Sequence, residues 1–209
     1  MIPQSEPSGD SLYTQTVAVL IVDVQRDFCP GGALAVEKGD RIVSVLNRLM
    51  CAANLHGILT YATRDWHPAN SNHFLRNGGI WPVHCVAGSL GAQFHPDLHL
   101  PDSTVIVSKG LEPHSDGYSA FDGSLEDGTP IARDLQHRGI THIIAGGLAT
   151  DYCVRHSVLD AINKGWTVTL VTDAVAAVEK KPGDGDRALA EMRAAGATLK
   201  QSGEVYSAI

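Results

Sequence analysis

The sequence predicts an α/β fold: a single domain built on a doubly wound, mainly parallel sheet of six strands, with helices on both faces. Three observations carry this reading. Apolar runs of strand length alternate along the chain with stretches of helical period. The run TVAVLIVDV (16–24) is rich in β-branched residues and apolar on both faces, as a strand buried inside a parallel sheet is. No internal repeat and no linker-like stretch divides the 209 residues, a length that suits one core.

The elements follow in chain order. Residues 1–15, MIPQSEPSGDSLYTQ, are expected to form a loose arm ahead of a domain over 16–209. TVAVLIVDV (16–24) is the first strand. Asp40 is placed as the N-cap of a helix on which Ile42, Val45, Leu46, Leu49 and Ala53 recur at helical spacing, and Gly57 ends it. ILTYATR (58–64) and TVIVSK (104–109) give the second and third strands, and 130–138 a helix. THIIAGG (141–147) is the fourth strand. It is followed by a helix over 151–164 that sets Val154, Val158, Ala161 and Ile162 on one side. TVTLVTD (167–173) is the fifth strand; a helix over 184–195, ended by Gly196, leads to ATLK as a short sixth. The exception is 65–103, nearly forty residues without periodicity. A loop that long in a single domain is functional or disordered, and its aromatics and histidines favour function.

Composition removes several function classes. A formal charge of −7 leaves no basic stripe to neutralise phosphates, so nucleic acid is not the expected partner. No apolar run reaches the roughly 18–20 residues of a spanning helix, and the N-terminus lacks a signal pattern. Cys29, Cys51, Cys85 and Cys153 show no CxxC spacing and no disulfide framework; the chain reads as a reduced, cytoplasmic protein. Cys51 falls in a helical pattern and is expected to pack, whereas Cys29 and Cys85 adjoin the expected site.

In open parallel sheets, ligands bind beyond the carboxyl ends of the strands. Asp23 ends the first strand, Asp65 and His67 follow the second, Lys109 closes the third, and Cys153 lies just past the fourth. Each has an ordinary reading beside the chemical one. Cys153 is either a small buried hydrophobe or a thiol polarised by the first turn of a helix. Asp23 is either a capped strand end or a poorly hydrated base with a raised pKa. Lys109, at the end of an inner strand, calls for a carboxylate partner, for which Asp23 is the first choice. Five of the ten histidines fall within 67–99. Asp65, His67, His73 and His84 either cap turns and decorate a surface, or form a nitrogen/oxygen shell for Zn²⁺, Fe²⁺ or Mn²⁺.

The segments VDVQRDF, TRDWHPANSNHF, WPVHCVAG, VSKG and GGLATDYCV, in this order and at these spacings, closely resemble the nicotinamidases, also called pyrazinamidases. These are isochorismatase-like cysteine hydrolases, and the resemblance covers about residues 16–200. It implies a catalytic triad of Asp23, Lys109 and Cys153 and a divalent metal, zinc by preference, on Asp65, His67, His73 and His84. It implies an oxyanion hole from the N–H groups of Ala149 and Cys153, with a cis peptide between Leu148 and Ala149. Phe28, Trp81, Tyr118, Leu148 and Tyr152 are expected to line the substrate pocket; the family often has histidine where this chain has Tyr152. The implied activity is hydrolysis of nicotinamide, with pyrazinamide as a further substrate, through a cysteine thioester; the implied role is NAD salvage. A homo-oligomer is expected by analogy. Three readings compete: a metal-activated water with Cys153 incidental, another small amide or ether as substrate, and a non-catalytic binding protein.

Overall fold

A computed structural model of the chain describes residues 16–206. The arm expected over 1–15 lies outside them. In order, the elements are β1 (Val17–Val22), α1 (Val43–Leu55), β2 (Leu59–Asp65), β3 (Val105–Lys109), α2 (Ile131–His137), β4 (His142–Leu148), α3 (Arg155–Asn163), β5 (Thr167–Ala176), α4 (Asp184–Ala195), β6 (Thr198–Lys200) and α5 (Ser202–Tyr206). The six strands form one sheet in the order β3-β2-β1-β4-β5-β6, and every pairing is parallel.

The all-apolar strands have the reason the sequence suggests. Along β1, Val19 and Ile21 face a core shared with Leu46, Leu49 and Met50 of α1 and Val205 of α5. Ala18, Leu20 and Val22 face the opposite core, with Ile131 of α2, Val158 of α3 and Met192 of α4. Each large side chain so buried is worth about 1.5–3 kcal/mol of transfer free energy, which is why both faces of the strand are apolar. The chain winds outward from β1 through β2 to β3, then returns to β4 on the other side of β1 and winds outward again. The switch between β1 and β4 opens a crevice at the carboxyl ends of the strands.

Local differences from expectation have identifiable causes. α1 begins at Val43 after a tight turn over Gly39–Ile42, and Asp40 makes no capping bond. Gly39 is pressed against this start, where a Cβ would come 3.1 Å from Phe28 O, so packing rather than capping sets how the helix begins. Cys51 is exposed, because Met50 takes the neighbouring inward position on α1. β1 stops at Val22, since Asp23 adopts a left-handed backbone (φ 49°). β5 runs on to Ala176 across a shift in its register with β4.

The 65–103 segment is held by tertiary contacts rather than by regular structure. Gln25, buried just past β1, donates from Nε2 to Asp65 O and Ala92 O (both 2.8 Å) and accepts at Oε1 from Asp65 N (2.8 Å). One side chain thus ties the two flanks of the loop together. Isolated bridges pair Gln25 with Phe94, His67 with Val86, and Phe74 with Trp81. Asp27 has a local role as well: it accepts from Cys85 N at 2.7 Å and from Ala33 N at 3.2 Å.

Candidate active site

Lys109 is the centre of the crevice. It is fully buried, and its Nζ lies 2.8 Å from Asp23 Oδ2, as the sequence anticipated. The same ammonium pairs with Asp65 Oδ1, donates to Gly117 O (2.6 Å), and sits 3.5 Å from Cys153 Sγ. The third partner requires two close backbones. Gly117 has φ 63°, and a Cβ on it would fall 2.4 Å from Gly110 N. Asp23 is oriented from the other side by Thr63 Oγ1, which donates to its Oδ1 at 2.6 Å. Oxygen atoms of Asp23 and Asp65 and the sulfur of Cys153 all lie within 4.8 Å of one another.

These contacts set the acidities. Burial raises the Asp23 carboxyl to about 6, working against the attraction of Lys109. Burial also acts to raise Asp65, but the Lys109 ammonium outweighs it and holds that carboxyl well below its usual range. The Cys153 thiol departs from the expectation of a polarised thiolate. Burial pushes it well above its ordinary value; Lys109 opposes this, and the carboxylates of Asp23 and Asp65 add to it. The resting group is a neutral thiol beside a carboxylate.

Cys153 reaches this position through the turn that leaves β4. The peptide between Leu148 and Ala149 is cis, and a wide turn over Thr150–Val154 follows, kinked at Tyr152 (φ −126°, ψ −105°). Ser157 fixes the turn from α3, donating from Oγ to Cys153 O (2.6 Å) and accepting from Ala120 N (2.8 Å).

Asp65 divides its two oxygens. Oδ1 faces Lys109, while Oδ2 lies 3.6 Å from His67 Nε2 and 4.0 Å from His84 Nε2. One ring nitrogen from each of His67, His73 and His84 falls within 4.8 Å of the others, and all three residues are buried. Their Nδ1 atoms are each engaged elsewhere: His67 with Gly110 O (3.2 Å), His73 with Asp116 Oδ1 (3.1 Å), and His84 with Pro82 O (2.7 Å). Those partners are acceptors, so each Nδ1 carries the proton and each Nε2 keeps its lone pair. Burial also favours the neutral rings, lowering His73 and taking His84 down to about 4. His67 Nε2 is buried without a hydrogen-bond partner among the described residues. Three inward lone pairs, one orphaned, beside a carboxylate oxygen are what a tetrahedral cation needs.

A cleft opens above this floor, walled by Phe28, Trp81, Tyr118, Leu148 and Tyr152, all five expected from the sequence. Trp81 Nε1 donates to Tyr118 OH at 2.8 Å, and the Tyr152 ring meets the Trp81 ring edge-on at 5.0 Å. Leu34, Val36 and Val178 also line it and were missed. The alternation of Leu34 and Val36 was the available signal; nothing local marks Val178. Gln25, Thr63, Asp116 and Gly117 were missed as supports of the site. Cys29 and Cys85 are buried but do not line the cleft, and His95 and His99 lie away from it.

The chain is similar to known proteins over nearly all of its described length. Residues 17–203 match the family model described as the isochorismatase domain. The chain is 43% identical over 198 residues to the nicotinamidase of Escherichia coli strain K12, covering 87% of this chain and 93% of that one. It is similar in structure to a pyrazinamidase of Pyrococcus horikoshii in complex with zinc. There the TM-score is 0.82 and the identity 42%, over 89% of this chain and 99% of that one. It also resembles an L. infantum protein in complex with nicotinate (TM-score 0.80, 34% identity, 93% of this chain and 96% of that one). With residues 17–203 matched by the family model and a relative 43% identical over most of both chains, the chain belongs to the isochorismatase family.

Proposed function

We propose that this chain is an amidohydrolase that converts nicotinamide to nicotinate and ammonia, accepts pyrazinamide, and uses Cys153 as nucleophile. One observation carries the reading: Asp23 and Lys109 meet Cys153 beneath an aromatic cleft that Cys153, His73 and His84 line, with His67 buried beside the other two histidines. The relatives named nicotinamidase and pyrazinamidase, and the neighbour holding nicotinate, support the substrate class. A divalent cation fits the four residues Asp65, His67, His73 and His84, with zinc preferred and Fe²⁺ or Mn²⁺ as alternatives. When bound, that cation supplies a coordination position suited to a pyridine nitrogen.

The chain's own groups perform the reaction. Phe28, Trp81, Tyr118 and Tyr152 enclose a flat heteroaromatic ring and exclude water, which turns the carboxamide towards Cys153. Asp23 takes the thiol proton, and the sulfur attacks the amide carbon. The N–H groups of Ala149 and Cys153 receive the oxyanion; a donor of this kind is worth about 2.7–4 kcal/mol in the transition state. Asp23 returns the proton to the departing ammonia, leaving a thioester. It then takes a proton from water as the water oxygen attacks, and nicotinate leaves as the thiol is restored. Throughout, Lys109 keeps Asp23 available as an anion despite its burial.

Ammonia release from nicotinamide tests the activity, and Cys153→Ala tests the route. Turnover should fall at least ~1,000-fold in the variant, and acid-quenched parent enzyme should show a nicotinoyl adduct by mass spectrometry. Full activity in Cys153→Ala would reject the thioester in favour of an attacking metal-bound water.

A further inference from the structure

Arg26 is a charged group that the proposed reaction does not use. It lies in the short turn Arg26–Phe28, anchored by its backbone N–H to Gln93 O (2.9 Å). The side chain is partly buried, makes no ion pair or hydrogen bond to the described residues, and has a buried Nε without an acceptor. Guanidinium presents five donors and no acceptor, so a partly buried one ordinarily meets a carboxylate or phosphate fork.

Arg26 opens on a cleft, separate from the substrate pocket, whose lining includes Cys29, Gly31, Leu90 and His95. Its one carboxylate among the described residues, Asp27, is committed to Cys85 N and Ala33 N and forms no ion pair with Arg26. His95 accepts at Nδ1 from Asp97 N (3.2 Å), which places the ring proton on Nε2. The uncommitted side-chain polar groups here are therefore donors, in a chain whose net charge is −7.

We propose that this cleft binds a small oxyanion, a phosphate or phosphate monoester, held by the Arg26 guanidinium and His95 Nε2–H. The same segment walls the substrate pocket on its other side through Phe28, Leu34 and Val36. Its internal bonds, Leu34 N to Asp27 O (2.9 Å) and Val36 N to Phe28 O (3.0 Å), join the two sides. An anion in the cleft fixes that wall and lowers KM for the pyridine amide.

Calorimetric titration of the zinc-loaded protein with inorganic phosphate, AMP and acetate tests this, with nicotinate added to block the active-site cation. Saturable binding is expected for phosphate or AMP, weakened at least ten-fold by Arg26→Gln and several-fold by His95→Ala. Both variants should melt as the parent does and turn over nicotinamide normally in phosphate-free buffer. Added phosphate should lower KM in the parent and not in Arg26→Gln. AMP binding more tightly than phosphate assigns the site to monoesters; equal affinity assigns it to free phosphate. Absence of saturable binding by phosphate and AMP, or binding that Arg26→Gln leaves unchanged, overturns the proposal.

Discussion

Replacing Lys109 with methionine removes one charge and little volume, so it isolates what the ammonium does. At 2.8 Å from Asp23 Oδ2, the pair attraction is about 6 kcal/mol at an effective dielectric of ~20. That is a factor of about 10,000 in the ionisation equilibrium of the Asp23 carboxyl. Asp23 already stands at about 6 with Lys109 present, because burial opposes ionisation. Without the cation it is protonated across the neutral range and no longer accepts the thiol proton. Asp65 loses its partner as well, so the variant should also be about 3–5 kcal/mol less stable. Two assays separate these effects: urea unfolding, and the pH profile of kcat/KM for nicotinamide in the folded variant. The parent's activity should fall on the acid side below about pH 6, where Asp23 takes up its proton. In Lys109→Met that limb should move to alkaline pH, with kcat/KM at pH 7 down at least ~1,000-fold. A folded variant whose acid limb stays in place would refute the assignment of Asp23 as the base held by Lys109.

Asp116→Ala should weaken zinc binding about 10–100-fold, although Asp116 is two-thirds exposed, because it fixes the His73 tautomer through Nδ1; competition with a chromophoric chelator reads this, and unchanged affinity would sink it. Gly117→Ala should cost at least ~2 kcal/mol in urea unfolding, from left-handed backbone strain and a Cβ only 2.4 Å from Gly110 N. A neutral result there would mean that the chain accommodates a Cβ at 117 without strain.

Much of the fold was legible because parallel strands bury both faces, which leaves unbroken apolar runs such as VAVLIV. The site was legible for a related reason: a parallel sheet sends every strand end to one edge, so Asp23, Asp65 and Lys109 belong together without any sequence proximity. What stayed hidden depends on three-dimensional detail. That Lys109 bridges two carboxylates follows from the left-handed turn at Asp23 and the paired glycines at 110 and 117. The helix-start argument for a Cys153 thiolate left out burial, which prevails. Cys51 and Met50 differ by one step of helical phase, too fine for the apolar pattern to resolve. The five-residue helix α5 is too short to show a period at all.

Gln25 has a wider consequence. By joining Asp65 to Ala92 it closes a ring of some thirty residues, and the entropy of that closure, growing only as about (3/2)RT ln n, is met once, during folding. The imidazoles of His67, His73 and His84 are therefore assembled before any ligand arrives. Capture of a cation draws on no further chain ordering, and the segment acts as a fixed plug in the crevice instead of a door that must swing shut.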